Sequence, residues 1–119
     1  MLVVDDESDL RQLAAGLLAR HGYDVVVARH GLEALEQLCD RCPDLVVLDL
    51  NMPVMDGWQF RAAQLRLAEP HLVNIPVLLL TGVEDAADQV VKLNVAGVVE
   101  KPFDPNRLLD AVETALRAA

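Results

Sequence analysis

Leu45-Val46-Val47-Leu48-Asp49 is the stretch on which the fold turns. Four apolar residues in a row cannot alternate between a dry and a wet face, so they suit a parallel strand covered on both sides, with Asp49 where the chain leaves the core. The strand is read from Asp44 to Leu48, and four more short runs rich in Val and Leu resemble it: Met1 to Val4, Asp24 to Ala28, Pro76 to Leu80 and Val98 to Glu100. All five are expected to be buried on both faces. Helical patterns lie between them. Leu10, Leu13, Ala14, Leu17 and Leu18 fall at helical spacing and predict one apolar stripe on a helix from Ser8 to Arg20. Leu108, Leu109, Val112, Ala115 and Leu116 repeat that spacing near the end, with Asp104 as cap and Pro105 at the first helical position. Weaker patterns predict helices over Leu32 to Cys39, Trp58 to Ala68 and Asp85 to Leu93.

Strand and helix thus alternate five times over 119 residues, with no repeat, linker or low-complexity segment. Parallel crossovers are right-handed and place helices on both faces, so the fold class is α/β, a (βα)5 doubly wound sheet of five parallel strands. A closed eight-unit barrel would need about twice the length. Strand order does not follow from the pattern; the flavodoxin-like order 2-1-3-4-5 is a common solution for five strands and is the one expected. The length fits one domain, residues 1–119. With 53% hydrophobic and 24% charged residues the chain can bury a core, which excludes a disordered protein. The apolar runs are far shorter than the ~20 residues of a membrane span, and no leader pattern opens the chain. The expected address is the cytoplasm. A net charge of −9 repels a phosphate backbone, so direct nucleic-acid binding is disfavoured.

In such a sheet, ligands bind outside the carboxyl ends of the strands. There the first strand is followed by Asp5-Asp6-Glu7, the third by Asp49, the fourth by Thr81-Gly82 and the fifth by Lys101-Pro102. Acids at Asp5 to Glu7 can also serve simply to start a helix, Thr81 can be an ordinary turn residue, and Lys101 a surface charge near Glu100. Asp49 resists such a reading, because no helix start lies beside it and a charge at a buried strand end is costly without a partner. Converging carboxylates repel unless a cation joins them, and hard oxygen ligands with free water positions suit Mg²⁺. A carboxylate there can act as nucleophile on phosphorus, with an ammonium and a hydroxyl for the phosphoryl oxygens. No glycine-rich phosphate loop or Walker lysine is present, so the phosphoryl group must come from another protein or a small phosphodonor.

Two other functional classes fit the residues less well. An Asp-nucleophile phosphatase wants a second acid two residues after the nucleophile, and position 51 is Asn. A flavin-binding electron carrier wants a neutral loop after the first strand, where Asp5-Asp6-Glu7 would repel the flavin phosphate. Cys39 and Cys42 have the spacing of a redox pair or half a zinc site. They follow a helix rather than start one, and His21, His30 and His71 are scattered singly, so two reduced thiols without zinc are expected.

Leu2-Val3-Val4-Asp5-Asp6-Glu7, the block Leu48-Asp49-Leu50-Asn51-Met52-Pro53-Val54-Met55-Asp56-Gly57, the Thr81 strand end and Lys101-Pro102-Phe103 together resemble the receiver domain of two-component response regulators, in chemotaxis-regulator-like form. The resemblance covers essentially the whole chain. It implies that Asp49 is the phosphoacceptor, that Asp6 and Asp49 ligate Mg²⁺ directly, that Asp5 helps through water and that Asn51 contributes a backbone carbonyl. It implies too that Thr81 is the switch hydroxyl and Lys101 the phosphate-binding lysine. The donor would be a sensor histidine kinase or a histidine phosphotransfer protein, and the product a switched conformation rather than turnover. The chain departs from the family at Val98, where Tyr or Phe is common three residues before the lysine, and at Asn94, where Gly is common and Asn tolerates the left-handed turn. Val98 has no ring to rotate. The expected output surface, for a downstream protein or output domain, is therefore the face formed by the 85–93 helix, the fifth strand and the last helix.

Overall fold

A computed structural model describes residues 1–82 and 93–118. Its strands are β1 (Leu2–Val4), β2 (Val26–Ala28), β3 (Val46–Leu48), β4 (Val77–Thr81) and β5 (Gly97–Glu100). All pairings are parallel and the order is β2-β1-β3-β4-β5, the flavodoxin-like arrangement expected. Leu2 stands opposite both Val26 and Val46, and Val46 opposite Val77, so β1, β3 and β4 form a central block in register.

The period of two along each strand divides the core. Leu2, Val4, Val46, Leu48, Val77 and Leu79 face one layer, packed with Ala34 and Leu38 of α2 (Gly31–Arg41) and Phe60 of α3 (Gly57–Leu65). Val3, Val47, Leu78, Leu80 and Val99 face the other, packed with Ala14, Leu17 and Leu18 of α1 (Ser8–Arg20) and Leu108, Val112 and Ala115 of the C-terminal helix. Helices on both faces make the sheet doubly wound.

Two expectations need correction, and two helices shift at their ends within the range their patterns allow. The strands are not all buried on both faces: β2 is an edge strand with Val27 43% exposed, because the topology covers it incompletely. Leu13 belongs to no buried stripe; it is 55% exposed, and α1 buries only Ala14, Leu17 and Leu18. The helix expected over Trp58 to Ala68 ends at Leu65, and a separate turn, α4 (Pro70–Val73), follows with Pro70 in its first turn. The helix expected from Leu32 starts at Gly31, where His30 Nδ1 accepts the Glu33 amide, and reaches Arg41. The C-terminal helix α5 (Pro105–Ala118) is as expected, with Asp104 Oδ1 accepting the Asn106 amide at 2.8 Å. Asn94 takes the left-handed conformation its side chain tolerates, φ 51°. The helix expected over Asp85 to Leu93 lies, apart from Leu93, outside the described residues.

Candidate functional site

The strand ladders run past the strand ends and place the polar residues. The Asp5 amide donates to Ala28 O, the Asp49 amide to Val4 O and the Lys101 amide to Thr81 O, at 3.2, 2.9 and 3.0 Å. Residues from four strand ends are therefore held at one edge by backbone bonds, independent of their side chains. Asp5 and Asp49 are buried, Asp49 only 5% exposed, and Thr81 is fully buried at the end of β4. Among the described residues, Asp5, Asp6 and Asp49 are the group whose carboxylate oxygens lie within 4.8 Å of one another.

Lys101 closes this cluster. Its Nζ is 2.8 Å from Asp5 Oδ2 and 3.4 Å from Asp49 Oδ2, with its side chain 17% exposed. The reading of Lys101 as a surface charge is thereby excluded. The other oxygen of Asp5 accepts the Glu7 amide at 2.9 Å, and Glu7 caps α1 without using its own side chain. Asp5 is thus committed to the site rather than to starting a helix. Asp6 is exposed and in no ion pair among the described residues. Burial pushes the Asp49 carboxyl up to about 6; the Lys101 ammonium opposes that rise and the Asp5 charge adds to it. The Lys101 pKa is raised as well: desolvation opposes its charge, and the Asp5 hydrogen bond with both carboxylates outweighs it.

The segment after Asp49 is shaped by close packing. A Cβ on Gly57 would come within 2.6 Å of Asp49 O and 2.7 Å of Leu50 Cα, so only glycine lets α3 start this near Asp49. Asp56 and Gln59 form a capping box at that start, with bonds of 2.8 and 3.0 Å. Gly31 receives the same loop from the other side, its amide donating to Met55 O at 2.8 Å. Asn51 is exposed, and its amide lies 3.4 Å from Asp49 Oδ1. Sequence reasoning quoted Asp56 and Gly57 without finding their work, which depends on backbone approach between segments. It also missed Arg61, buried on α3, whose guanidinium donates to Leu93 O, Asn94 O and Gln64 Oε1 at 3.0, 2.8 and 2.7 Å. An arginine in a helical stretch carries no signal that it points inward.

The arrangement joins two buried carboxylates and an exposed third, close enough together for a divalent cation, with an ammonium aimed at both buried acids. Comparison with known proteins agrees with the geometry. A family model described as the response regulator receiver domain matches residues 1–113. The alkaline phosphatase synthesis transcriptional regulatory protein PhoP of Bacillus subtilis is 37% identical over 119 residues, covering 98% of this chain and 48% of PhoP. A probable transcriptional regulator, ycf27, of Cyanophora paradoxa is 38% identical with the same coverage. This chain spans about half the length of the curated relatives it matches. Among solved structures, the receiver domain of NtrX from Brucella abortus superposes with a TM-score of 0.88 at 31% identity, covering 99% of this chain and 98% of that one. The chemotaxis response regulator CheY4 of Vibrio cholerae gives 0.86 at 31% identity, covering 96% and 95%.

Proposed function

Because this chain belongs to the response regulator receiver domain family of two-component systems, we propose that Asp49 is its phosphoacceptor and that residues 1–119 work as a switch rather than as a turnover enzyme. The observation that carries this is the Lys101 ammonium held 3.4 Å from a buried Asp49 carboxylate at the carboxyl edge of the sheet. With a pKa of about 6, Asp49 is mostly ionised at neutral pH and retains nucleophilicity. An Asp49 oxygen attacks phosphorus, the phosphorus–nitrogen bond of a phosphohistidine breaks, and the imidazole leaves with the electron pair and takes up a proton. Lys101 neutralises charge on the phosphoryl oxygens, and Thr81 donates its hydroxyl to one of them.

The carboxylate cluster fits a divalent cation, since three oxygen donors lie within 4.8 Å of one another and the burial of Asp5 and Asp49 leaves the repulsion between those two poorly screened. Mg²⁺ is the ion we assign, held directly by Asp6 and Asp49 and by the Asn51 carbonyl. Asp5, whose oxygens are engaged by Lys101 and the Glu7 amide, would act through water. When bound, the ion supplies further charge neutralisation of the transferring group.

The proposed donor is a sensor histidine kinase or a histidine phosphotransfer protein, and the proposed compartment the cytoplasm, where exposed thiols such as Cys39 and Cys42 persist reduced. Readout to a partner or output domain is assigned to β5, α5 and the segment before them. Val98, opposite Leu79 in the ladder and packed against the core, cannot signal by ring rotation. The test is incubation with acetyl phosphate and Mg²⁺, followed by mass spectrometry. One acid-stable, base-labile adduct is expected on Asp49 and none on Asp49→Ala; phosphate retained by that variant would reject the site.

A further inference from the structure

Arg61 takes no part in the site above, yet it is a cation buried to 6% exposure on α3. No carboxylate among the described residues pairs with it. Its Nε donates to Leu93 O, and Nη1 and Nη2 each donate once, to Gln64 Oε1 and Asn94 O. A guanidinium carries five N–H donors, so one on each terminal nitrogen is left with no partner among the described residues. Gln64, itself fully buried, donates to Leu72 O and Ile75 O at 3.0 Å each and so holds the guanidinium in place. Desolvation lowers the Arg61 pKa, and no neighbouring anion among the described residues opposes it. A cleft of about 560 Å³ opens beside this guanidinium where the chain enters β4 and β5, at the end of the sheet opposite the carboxylate cluster. Arg61 lines it, the exposed Asn74 and Asn94 lie along it, and Leu65, Val95 and Ala115 supply apolar wall. Leu65 is 48% exposed, a large apolar side chain left to water at the end of α3. Among the described residues no acid lines the cleft.

We propose that this cleft binds a small carboxylate with an apolar body, a branched aliphatic or aromatic acid. The two oxygens of a carboxylate accept parallel N–H bonds from a guanidinium, which is the match that the two remaining donors of Arg61 offer. A buried cation without a counter-ion is costly, so an anion gains more here than beside an exposed arginine. Leu65 and Ala115 would cover the apolar part of the ligand, and the amides of Asn74 and Asn94 its polar rim. A concave, mostly apolar lining with a few polar groups, at this volume, is the usual form of a small-molecule site. The net charge of −9 repels anions at long range, so an anion that binds must be drawn by a local group, and Arg61 is the charge that lines the cleft. Asn94 and Val95 lead into β5, so an occupant lies against the entry to the strand that carries Val98.

The experiment is titration of the isotope-labelled 119-residue chain with benzoate and with isovalerate, in the absence of Mg²⁺, followed through amide shifts by NMR. Saturable shifts centred on Arg61, Asn74, Asn94 and Ala115 are expected with at least one of the two acids. Benzamide keeps the ring of benzoate without its charge and should bind about tenfold more weakly, because it forfeits the charge-assisted pair. Arg61→Met leaves the Leu93 and Asn94 carbonyls unpaired and can fail to fold, so the cleft is tested at its exposed wall instead. Leu65→Glu sets a like charge beside the ligand, should fold as the parent does, and should weaken binding of the acid by about tenfold. Absence of saturable shifts with both acids, shifts centred away from the cleft, benzamide binding as tightly as benzoate, or Leu65→Glu binding as the parent does would overturn the proposal.

Discussion

Lys101 donates from Nζ to Asp5 Oδ2 at 2.8 Å, joining residues 96 positions apart at opposite ends of the chain. The bond forms because β1 and β5, with β3 and β4 between them in the sheet, end at the same edge. Asp5 is nearly sealed from water, so its charge depends on this ammonium and on the Glu7 amide.

Removing the ammonium should therefore expose a cost greater than the bond itself. Lys101→Met is expected to lower stability by about 3 kcal/mol, since a buried carboxylate loses its counter-ion. Urea denaturation at pH 7 measures this, and a midpoint equal to the parent's would mean that water reaches Asp5 freely.

Asp49 carries a burial penalty whose pH window can be stated. Its folded pKa of about 6 exceeds the unfolded value, so the folded state binds this proton more readily and acidification favours folding through this group. The penalty is complete above pH ~6 and relieved toward pH ~4, the unfolded value. Asp49→Asn should melt higher at pH 7, by on the order of 2 kcal/mol in stability, with the gain shrinking as pH falls. Thermal scans of both proteins across that range decide the matter, and a difference independent of pH would refute the assignment.

A divalent cation should act on the same repulsion. Mg²⁺ at a hundredfold excess over its dissociation constant is expected to stabilise the fold by ~2.7 kcal/mol. Asp6→Asn should need more Mg²⁺ for the same rise in melting temperature. Identical calorimetric traces with and without millimolar Mg²⁺ would count against a preformed site.

Strain in the loop beyond Asp49 gives a separate handle. Val54 is β-branched, 74% exposed and at φ 68°, where such side chains crowd the backbone. Val54→Asn should raise stability by roughly 1 kcal/mol, as it removes strain and forfeits little packing. Chemical denaturation reads the gain, and a destabilised variant would show that the Val54 side chain packs usefully.

The five strand runs and the cap at Asp104 were legible because each follows from a few neighbouring residues: a run of β-branched and leucine side chains, a carboxylate one place before Pro105. Asp49 was legible for the same kind of reason, being a charge directly after four apolar residues. The sequence by itself thus determined the elements and which residues stand at their ends. It could not say that β2 lies on an edge with Val27 exposed, that Leu13 faces water, or that Arg61 turns inward to carbonyls 32 and 33 residues away. Nor could it bring Lys101 to Asp5. Those outcomes depend on strand order and on which helix covers which face. They are settled by packing among segments far apart in the chain, where one-dimensional spacing carries no distance.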